Sequence, residues 1–261
     1  FAKSVEELNG PDLIDYRAVA RAKRRVLEPL SRCFFGSTHA GDPEVQRFLQ
    51  LYPRVEDYAR FRAAAEKYRC SWQGWPEPAR SGVLTPADYN PNDVQYHIFA
   101  QYQAHRQLEQ LALSTQGARL YLDLPIGVNG GGYDAWRERH LFVNASAGGP
   151  PDALFRQGQN CGFPPLNPIA LREDGYAYLR DTIRTHLLYA GALRLDHVMP
   201  LHRLFWVPEG GSPADGVYVS YPEEELYAVL CLESARHQAV IIGEDLGTVA
   251  AEMRNAVEPH P

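Results

Sequence analysis

Acidic residues stand at the ends of three apolar segments of the sequence. Asp123 interrupts LYLDL, Asp196 follows ALRL and Glu244 follows AVIIG. Retaining glycoside chemistry requires two carboxyl groups about 5–5.5 Å apart. One attacks the anomeric carbon, while the other protonates the leaving oxygen and later deprotonates the acceptor. Asp196 and Glu244 are therefore our candidates for this pair, and we expect Asp123 to lie beside them.

Arg194 is the residue that sets Asp196 apart from an ordinary surface aspartate. The stretch from Gly191 to Trp206 otherwise reads as buried strand, where charge is expensive. Strand side chains alternate between faces, so Arg194 and Asp196 share one face, opposite Leu193. An arginine at this distance would keep the Asp196 carboxylate ionised. A structural ion pair in the core is the competing interpretation, but three acids at matching strand ends favour a functional one.

A metal site built from Asp196, His197, His202 and Glu244 is a second alternative. No two of these residues form a recognised ligand motif such as HExxH, and the four cysteines contain no CxxC pair. The sequence therefore favours a site without a metal. Scattered cysteines also favour a reducing compartment, and we expect a cytoplasmic protein, or a plastid protein if the source is a plant or alga.

Composition and charge exclude several classes of function. The 261 residues are 45% hydrophobic and 22% charged, which is typical of a globular protein with a sizeable core. The net charge of −6 argues against a nucleic-acid partner, and no basic run favours a membrane surface. No apolar run approaches the ~18 residues that span a bilayer.

The elements that must position these residues alternate between helix and strand. Helical periodicity covers residues 15–35, 54–69 and 94–115. The organisation changes after Asn90, and a helix then precedes a strand three times, which predicts a parallel sheet with crossover helices. One predicted helix begins at Asn167-Pro168 and ends near Tyr189; the next begins at Pro222 with three glutamates. In the loop before Asn90, Trp72 and Trp75 are expected to fill a hydrophobic gap between subdomains rather than to stack on a sugar.

Several longer motifs resemble one known family. The sequence resembles the 4-α-glucanotransferases (amylomaltases, or disproportionating enzymes) of the α-amylase superfamily in the segments LYLDLPIGV, GYDAW, PPDALFRQGQ, PPLNPIALREDGY, ALRLDHVMPLHRLFWVPEG and VIIGEDLGTV. The likeness runs from about Thr85 to Val249, and DLIDYRAV makes the N-terminal part compatible. The resemblance implies an α/β fold, a portion of a (β/α)8 TIM barrel with an inserted, mainly helical subdomain. We assign residues 1–90 to that subdomain and residues 91–261 to the barrel.

The resemblance also implies a reaction and partners. The family transfers α-1,4-glucan segments to the 4-hydroxyl of an acceptor glucan or glucose, with malto-oligosaccharides as donors and acceptors and with no metal or organic cofactor. It implies that Asp196 is the nucleophile, that Glu244 is the general acid/base, and that Arg194 and His197 line the donor sugar. Hydrolysis of the same bond, or a non-catalytic glucan-binding fragment, are the alternatives.

The resemblance implies roles for two further residues, and the sequence differs from the family pattern in two places. Asp123 would support the site or contact a sugar, and Gln159 lies on the loop that such enzymes fold over the glucan. Cys161 stands where many relatives have tryptophan. The family's third catalytic carboxylate lies on a later strand, in a His-Asp motif that does not follow Glu244 here. We therefore expect a central portion of the enzyme, poorly soluble or incompletely folded without the remaining barrel strands of the full-length chain.

Overall fold

The computed structural model of the chain describes residues 2–10, 12–36, 42–114 and 119–245. It divides into two compact units, residues 1–107 and residues 108–261. The boundary expected from the sequence falls between residues 90 and 91, where the last long helix of the first half begins. That helix runs across the division between the units, and the domain limits stay a prediction.

The first unit is built from helices. Those described are α1 (Ala2–Asn9), α2 (Tyr16–Gly36), α3 (Pro43–Leu51), α4 (Arg54–Tyr68) and the larger part of α5 (Pro91–Ser114). The three helices predicted from periodicity correspond to α2, α4 and α5. Helix α3 was not predicted, although Asp42-Pro43 is a start signal: the Asp42 carboxylate accepts the N–H of Glu44 at 2.8 Å.

Trp75 belongs to the core of this first unit. Its side chain is 2% exposed, and its ring lies 5.2 Å from Phe61 and 5.4 Å from Tyr68, both on α4. Its indole N–H donates to the carbonyl of Cys70 at 3.2 Å. Packing within the unit therefore accounts for Trp75 without a sugar ligand, whereas Trp72 is only partly buried.

The second unit combines two sheets with short helices. Its described strands are β1 (Leu120–Leu124), β2 (Ala145–Gly149), β3 (Gln159–Asn160), β4 (Ala190–Leu195), β5 (Arg203–Pro208), β6 (Val217–Ser220) and β7 (Val240–Gly243). Its described α-helices, besides the end of α5, are α6 (Tyr133–Arg137), α7 (Pro168–Glu173), α8 (Ala177–Leu187) and α9 (Glu223–His237). No helix in the described ranges is long and apolar enough to cross a membrane.

The parallel sheet has the order β1-β4-β7, and each strand follows a helix, as predicted. Leu193 is fully buried and Leu195 nearly so, in a cluster with Ile183 and Leu187 of α8 and Leu226 of α9. The leucine face of β4 therefore meets the crossover helices, and Arg194 lies on the opposite face.

That opposite face is exposed in the described structure. Tyr121, Val240 and Ile242 lie on it and are 58%, 60% and 41% exposed. The register aligns Asp123 with Arg194 and Arg194 with Ile242. One row across the sheet thus carries the predicted acid of β1 and the predicted arginine of β4 side by side.

The helix predicted from Asn167 to Tyr189 is two helices. The Asn167 side chain accepts the N–H groups of Ile169 and Ala170 at 2.9 and 3.3 Å, so the predicted cap is confirmed. The helix then stops, because Gly175 and Tyr176 both have positive φ, 62° and 59°. A second helix, α8, begins at Ala177 and is followed in the chain by β4.

The second sheet was not predicted. It is antiparallel, with the order β3-β2-β5-β6. The sequence pattern indicated a long loop over β2 and β3 and one buried strand from Gly191 to Trp206. Strand β4 instead ends at Leu195, and the chain then makes a 3₁₀ turn at Met199–Leu201 and enters β5. Glycine-rich β2 and two-residue β3 carry too little apolar alternation to be recognised as strands.

Candidate active site

Arg194 bonds to two carboxylates at once. Its Nη1 lies 2.9 and 2.8 Å from Oδ1 and Oδ2 of Asp123, on the neighbouring strand, and its Nη2 lies 2.8 Å from Oδ1 of Asp196. The hydrogen bonds that Arg194 donates to Asp123 outweigh the opposing effect of burial and, together with the charge of Asp123 and the bond to Asp196, raise the pKa of the Arg194 guanidinium. The predicted Arg194–Asp196 pair is present, and Asp123 extends it to a triad.

This triad is accessible rather than buried. The side chain of Arg194 is 29% exposed, that of Asp196 39% and that of Asp123 60%. A pair in such a position contributes little to stability, so core stabilisation does not explain why these charges stand on a sheet face. Their placement favours contact with a polar ligand.

Asp196 and Glu244 emerge side by side at the carboxyl ends of adjacent parallel strands. The N–H of Asp196 donates to the carbonyl of Leu124 at 3.0 Å, and the N–H of Glu244 donates to the carbonyl of Leu195 at 3.0 Å. The sheet ladder therefore continues through both residues and fixes their backbones. The strand-end rule placed them at one rim from the sequence, and the structure brings Asp123, Arg194, Asp196 and Glu244 to the same end of one sheet.

His197 reaches Glu244 through its main chain. Its backbone is left-handed, with φ 53°, and its N–H donates to Oε2 of Glu244 at 2.9 Å. From the sequence, His197 is expected to line the donor sugar, and this main-chain contact with Glu244 is not predicted. The contact depends on one backbone dihedral, for which the residue type carries only a weak signal.

Gln159 lies on the other sheet of this unit. It is exposed in β3, where it pairs with Gly149 of β2. Cys161, the predicted departure from the family pattern, follows β3 and donates its N–H to the carbonyl of Ala147 at 2.8 Å. The described contacts do not join Gln159 to the parallel-sheet residues, so its role stays a prediction.

His202 has partners other than the strand-end acids. Its Nε2 lies 2.9 Å from the hydroxyl of Tyr227, and its Nδ1 pairs with Glu223 at the start of α9. An open cleft of about 540 Å³ lies beside it, lined also by Arg172 and Tyr221 but not by Asp196 or Glu244. Within the described ranges, no group of three or more histidine, cysteine or acidic side chains is arranged to hold a metal ion.

Comparison with known proteins gives a consistent result. Residues 1–260 match the family model described as 4-alpha-glucanotransferase. A 4-alpha-glucanotransferase of Haemophilus influenzae is 34% identical over 96% of this chain and 39% of its own length. One of Mycobacterium tuberculosis is 36% identical over 77% of this chain and 29% of its own length. The chain thus spans two fifths or less of these relatives.

Two solved structures share the fold. Amylomaltase from Corynebacterium glutamicum superposes with a TM-score of 0.77 at 31% identity, covering 95% of this chain and 34% of that one. Amylomaltase from Streptococcus agalactiae in complex with acarbose gives a TM-score of 0.83 at 24% identity, covering 96% of this chain and 54% of that one. The predicted fold class, α/β and a portion of a (β/α)8 barrel, is confirmed.

Proposed function

Because this chain belongs to the 4-alpha-glucanotransferase family, we propose that it carries the nucleophile and the acid/base of a retaining α-1,4-glucan transfer. Asp196 is the nucleophile and Glu244 is the general acid/base. One observation carries this assignment: the two carboxylates stand at the carboxyl ends of adjacent parallel strands, with both backbones held by the ladder. Retaining chemistry uses a pair of carboxyl groups, and barrel enzymes build their sites at the carboxyl ends of the strands.

The first half of the reaction forms a bond to Asp196. A carboxylate oxygen of Asp196 attacks the anomeric carbon of the donor glucan, and the bond from that carbon to the leaving O4 breaks. Glu244 gives its proton to this oxygen, so the shortened glucan leaves with a free 4-hydroxyl. Arg194 bonds Oδ1 of Asp196, which orients the carboxylate and leaves Oδ2 to meet the anomeric carbon.

The second half restores both residues. Glu244, now a carboxylate, takes the proton of the acceptor's 4-hydroxyl, and that oxygen attacks the anomeric carbon. The bond to Asp196 breaks, and a new α-1,4 linkage forms with the original configuration. Every proton that Glu244 releases in the first half returns in the second, and the reaction needs no co-reactant beyond the two glucans.

We propose α-1,4-glucans and malto-oligosaccharides as both donor and acceptor. The family supports this substrate class, and a net charge of −6 suits an uncharged polyhydroxyl ligand better than an anionic one. Asp123, Arg194, His197 and Gln159 are the proposed sugar contacts. The exposure of the Asp123 side chain, 60%, supports the first of these.

The cytoplasm is the compartment that we propose. All four cysteines are free thiols and are exposed, which suits a reducing environment. Measurement of thiol modification in intact and lysed cells tests this assignment. A fully oxidised set of cysteines in the native protein would contradict it.

Maltotriose tests the proposed reaction. We expect the protein expressed from its complete reading frame to convert maltotriose into glucose together with maltopentaose and longer chains, resolved by length. The 261-residue chain is assayed beside it, to determine whether this portion suffices. Asp196→Asn and Glu244→Gln should each abolish the redistribution. Unchanged transfer by Glu244→Gln in the complete protein would overturn the acid/base assignment.

Hydrolysis of the same bond is a second candidate, because both reactions share the intermediate on Asp196 and differ in whether water or a sugar hydroxyl attacks it. Exclusion of water from the site would favour transfer. New reducing ends without longer products would show that hydrolysis dominates. A constant number of reducing ends, with chains both shortened and lengthened, would show transfer.

A further inference from the structure

The end of β4 contains one residue more than the parallel ladder needs. In a regular parallel pair, each bonded residue contacts two residues of the neighbouring strand. Its N–H donates to the carbonyl of residue i−1 on that strand, and its carbonyl accepts the N–H of residue i+1. Glu244 donates its N–H to the carbonyl of Leu195, so its own carbonyl should accept from His197. It accepts instead from Val198, at 3.0 Å. The chain therefore bulges outward by one residue at His197.

The bulge frees one main-chain donor and aims it at a side chain. The N–H of His197 no longer takes part in the ladder, and the left-handed backbone turns it towards Oε2 of Glu244, at 2.9 Å. This contact is made by the main chain of His197. A carboxylate that accepts a main-chain N–H has a fixed direction, because a backbone group held by its neighbours on both sides has little freedom to move.

Gly243 makes room for the bulge. A Cβ built at this position would lie 2.7 Å from Cγ2 and 3.1 Å from Cβ of Val198. Val198 is buried, so it cannot swing away into solvent. The absence of a side chain at position 243 is therefore what allows Val198 to close on Glu244 and His197 to turn outward.

We propose that His197 is a positioning residue, whose left-handed main chain orients the carboxyl group of Glu244 for proton transfer. The inference rests on the proposed role of Glu244 and adds the means by which it is held. Asp196 and His197 are consecutive residues. The segment of main chain that carries the nucleophile Asp196 therefore also orients the carboxyl group of Glu244, and it fixes the position of the two catalytic groups relative to each other.

A spectroscopic experiment tests the contact itself. The protein from the complete reading frame is labelled with [¹⁵N]histidine, and the amide signal of residue 197 is identified by its loss in His197→Asn. We expect this amide proton to lie downfield and to move upfield in Glu244→Gln, because a bond to a neutral acceptor is weaker. Asp245→Asn, a change of the same charge one residue away, should leave it in place. No movement in Glu244→Gln, or equal movement in both variants, would overturn the proposal.

A kinetic series tests the positioning role. His197→Gly and His197→Asn remove the imidazole but accept positive φ, whereas β-branched His197→Val resists it. We expect the Gly and Asn variants to have kcat values close to each other, because both lose the same proposed sugar contact of the imidazole and both keep the left-handed main chain. We expect Val to lose about a hundredfold in kcat relative to Gly with little change in KM, as a misplacement of about 1 Å can cause. Equal kcat values for Val and Gly would contradict the proposal.

The two experiments separate this inference from the proposed function. If Glu244→Gln moves the amide signal of residue 197 yet transfers glucan at the normal rate, the hydrogen bond stands and the acid/base role fails. If Glu244→Gln is inactive but the signal does not move, the proposed function stands and the positioning role fails.

Discussion

Arg194 lies directly opposite Asp123 across the β1–β4 ladder, and one nitrogen of its guanidinium contacts both oxygens of that carboxylate, at 2.9 and 2.8 Å. The other terminal nitrogen holds Asp196. A planar, forked cation can serve two acceptors in fixed directions. Asp123 therefore acts on Asp196 through Arg194, although the two acids stand on different strands.

Replacing Arg194 by lysine should reduce glucan transfer in the complete protein by roughly tenfold to a hundredfold, because a single ammonium cannot hold both carboxylates in place. Asp123→Asn should cause a smaller loss, since Arg194 keeps its bond to Asp196. Initial rates of maltotriose redistribution measure both effects. Full activity in Arg194→Lys would show that the bridge is not needed.

Among the described charged residues of the second unit, Glu233 should be the most costly to neutralise. It is fully buried on α9, and its carboxylate receives Arg184 Nε at 2.7 Å, Arg184 Nη2 at 2.9 Å and Arg236 Nη1 at 2.8 Å. Glu233→Gln should lower the free energy of unfolding by about 3 kcal/mol, near the lower end for a broken buried pair because both arginines are partly exposed. Glu224→Gln, exposed on the same helix, should cost less than about 1 kcal/mol. Urea unfolding of the complete protein compares them, and equal losses would contradict this account.

The contribution of Glu233 should depend on pH. Burial alone would raise its pKa, but the hydrogen bonds from Arg184 and Arg236 outweigh burial and hold the pKa below its ordinary value. A lowered pKa means that the stabilisation is complete above the unfolded value of about 4.3 and is lost as the pH falls through the folded value. The difference in unfolding free energy between wild type and Glu233→Gln should therefore be constant near neutrality and shrink in acid. A difference that grows on acidification would refute the assignment.

Asn167 should contribute through its cap alone. Asn167→Ala removes the acceptor for two N–H groups at the start of α7 and should cost about 1 kcal/mol, while Asn167→Asp should retain most of the stability. Thermal unfolding of the three proteins measures the effect. Equal losses for alanine and aspartate would mean that another interaction sets the start of this helix.

Gly148→Ala should separate β3 from β2. Its Cβ would overlap the carbonyl oxygen of Gln159 and lie 2.9 Å from Cγ2 of Val207, whereas a Cβ at Gly149 meets only ordinary contacts. If Gln159 binds glucan, Gly148→Ala should raise KM for maltotriose, and Gly149→Ala should not. An unchanged KM in Gly148→Ala would remove Gln159 from the proposed binding residues.

Alternation along single strands was enough to predict much of the candidate site. The apolar residues of β4 need cover on one face only, so Leu193 and Arg194 could be assigned to opposite faces, and the acids to strand ends. The bond between Arg194 and Asp123 could not be predicted in the same way. It depends on the register between strands about 70 residues apart, which tertiary packing decides.

The antiparallel sheet and the bulge could not be predicted for a different reason. The strand β2, ASAGG, has no alternating pattern, and its partner β3 is two residues long. The left-handed backbone at His197 accompanies the main-chain bonds of Leu195 and Val198 to Glu244, a residue 47 positions further along the chain. Both features depend on contacts between segments that are distant in the sequence, whereas hydrophobic periodicity predicts the structure of one segment at a time.

The extra residue at His197 interrupts the regular parallel ladder, and the same residue supplies the main-chain donor to Glu244. Shortening the chain by one residue there would let the N–H that follows Asp196 close onto the carbonyl of Glu244 and complete the ladder. The sheet would then be more uniform, but the carboxyl of Glu244 would lose its main-chain donor. The geometry of the site thus depends on the number of residues between Leu195 and Val198. A substitution leaves that number unchanged and therefore does not test it. A single-residue deletion in this segment is expected to spare folding and to remove function.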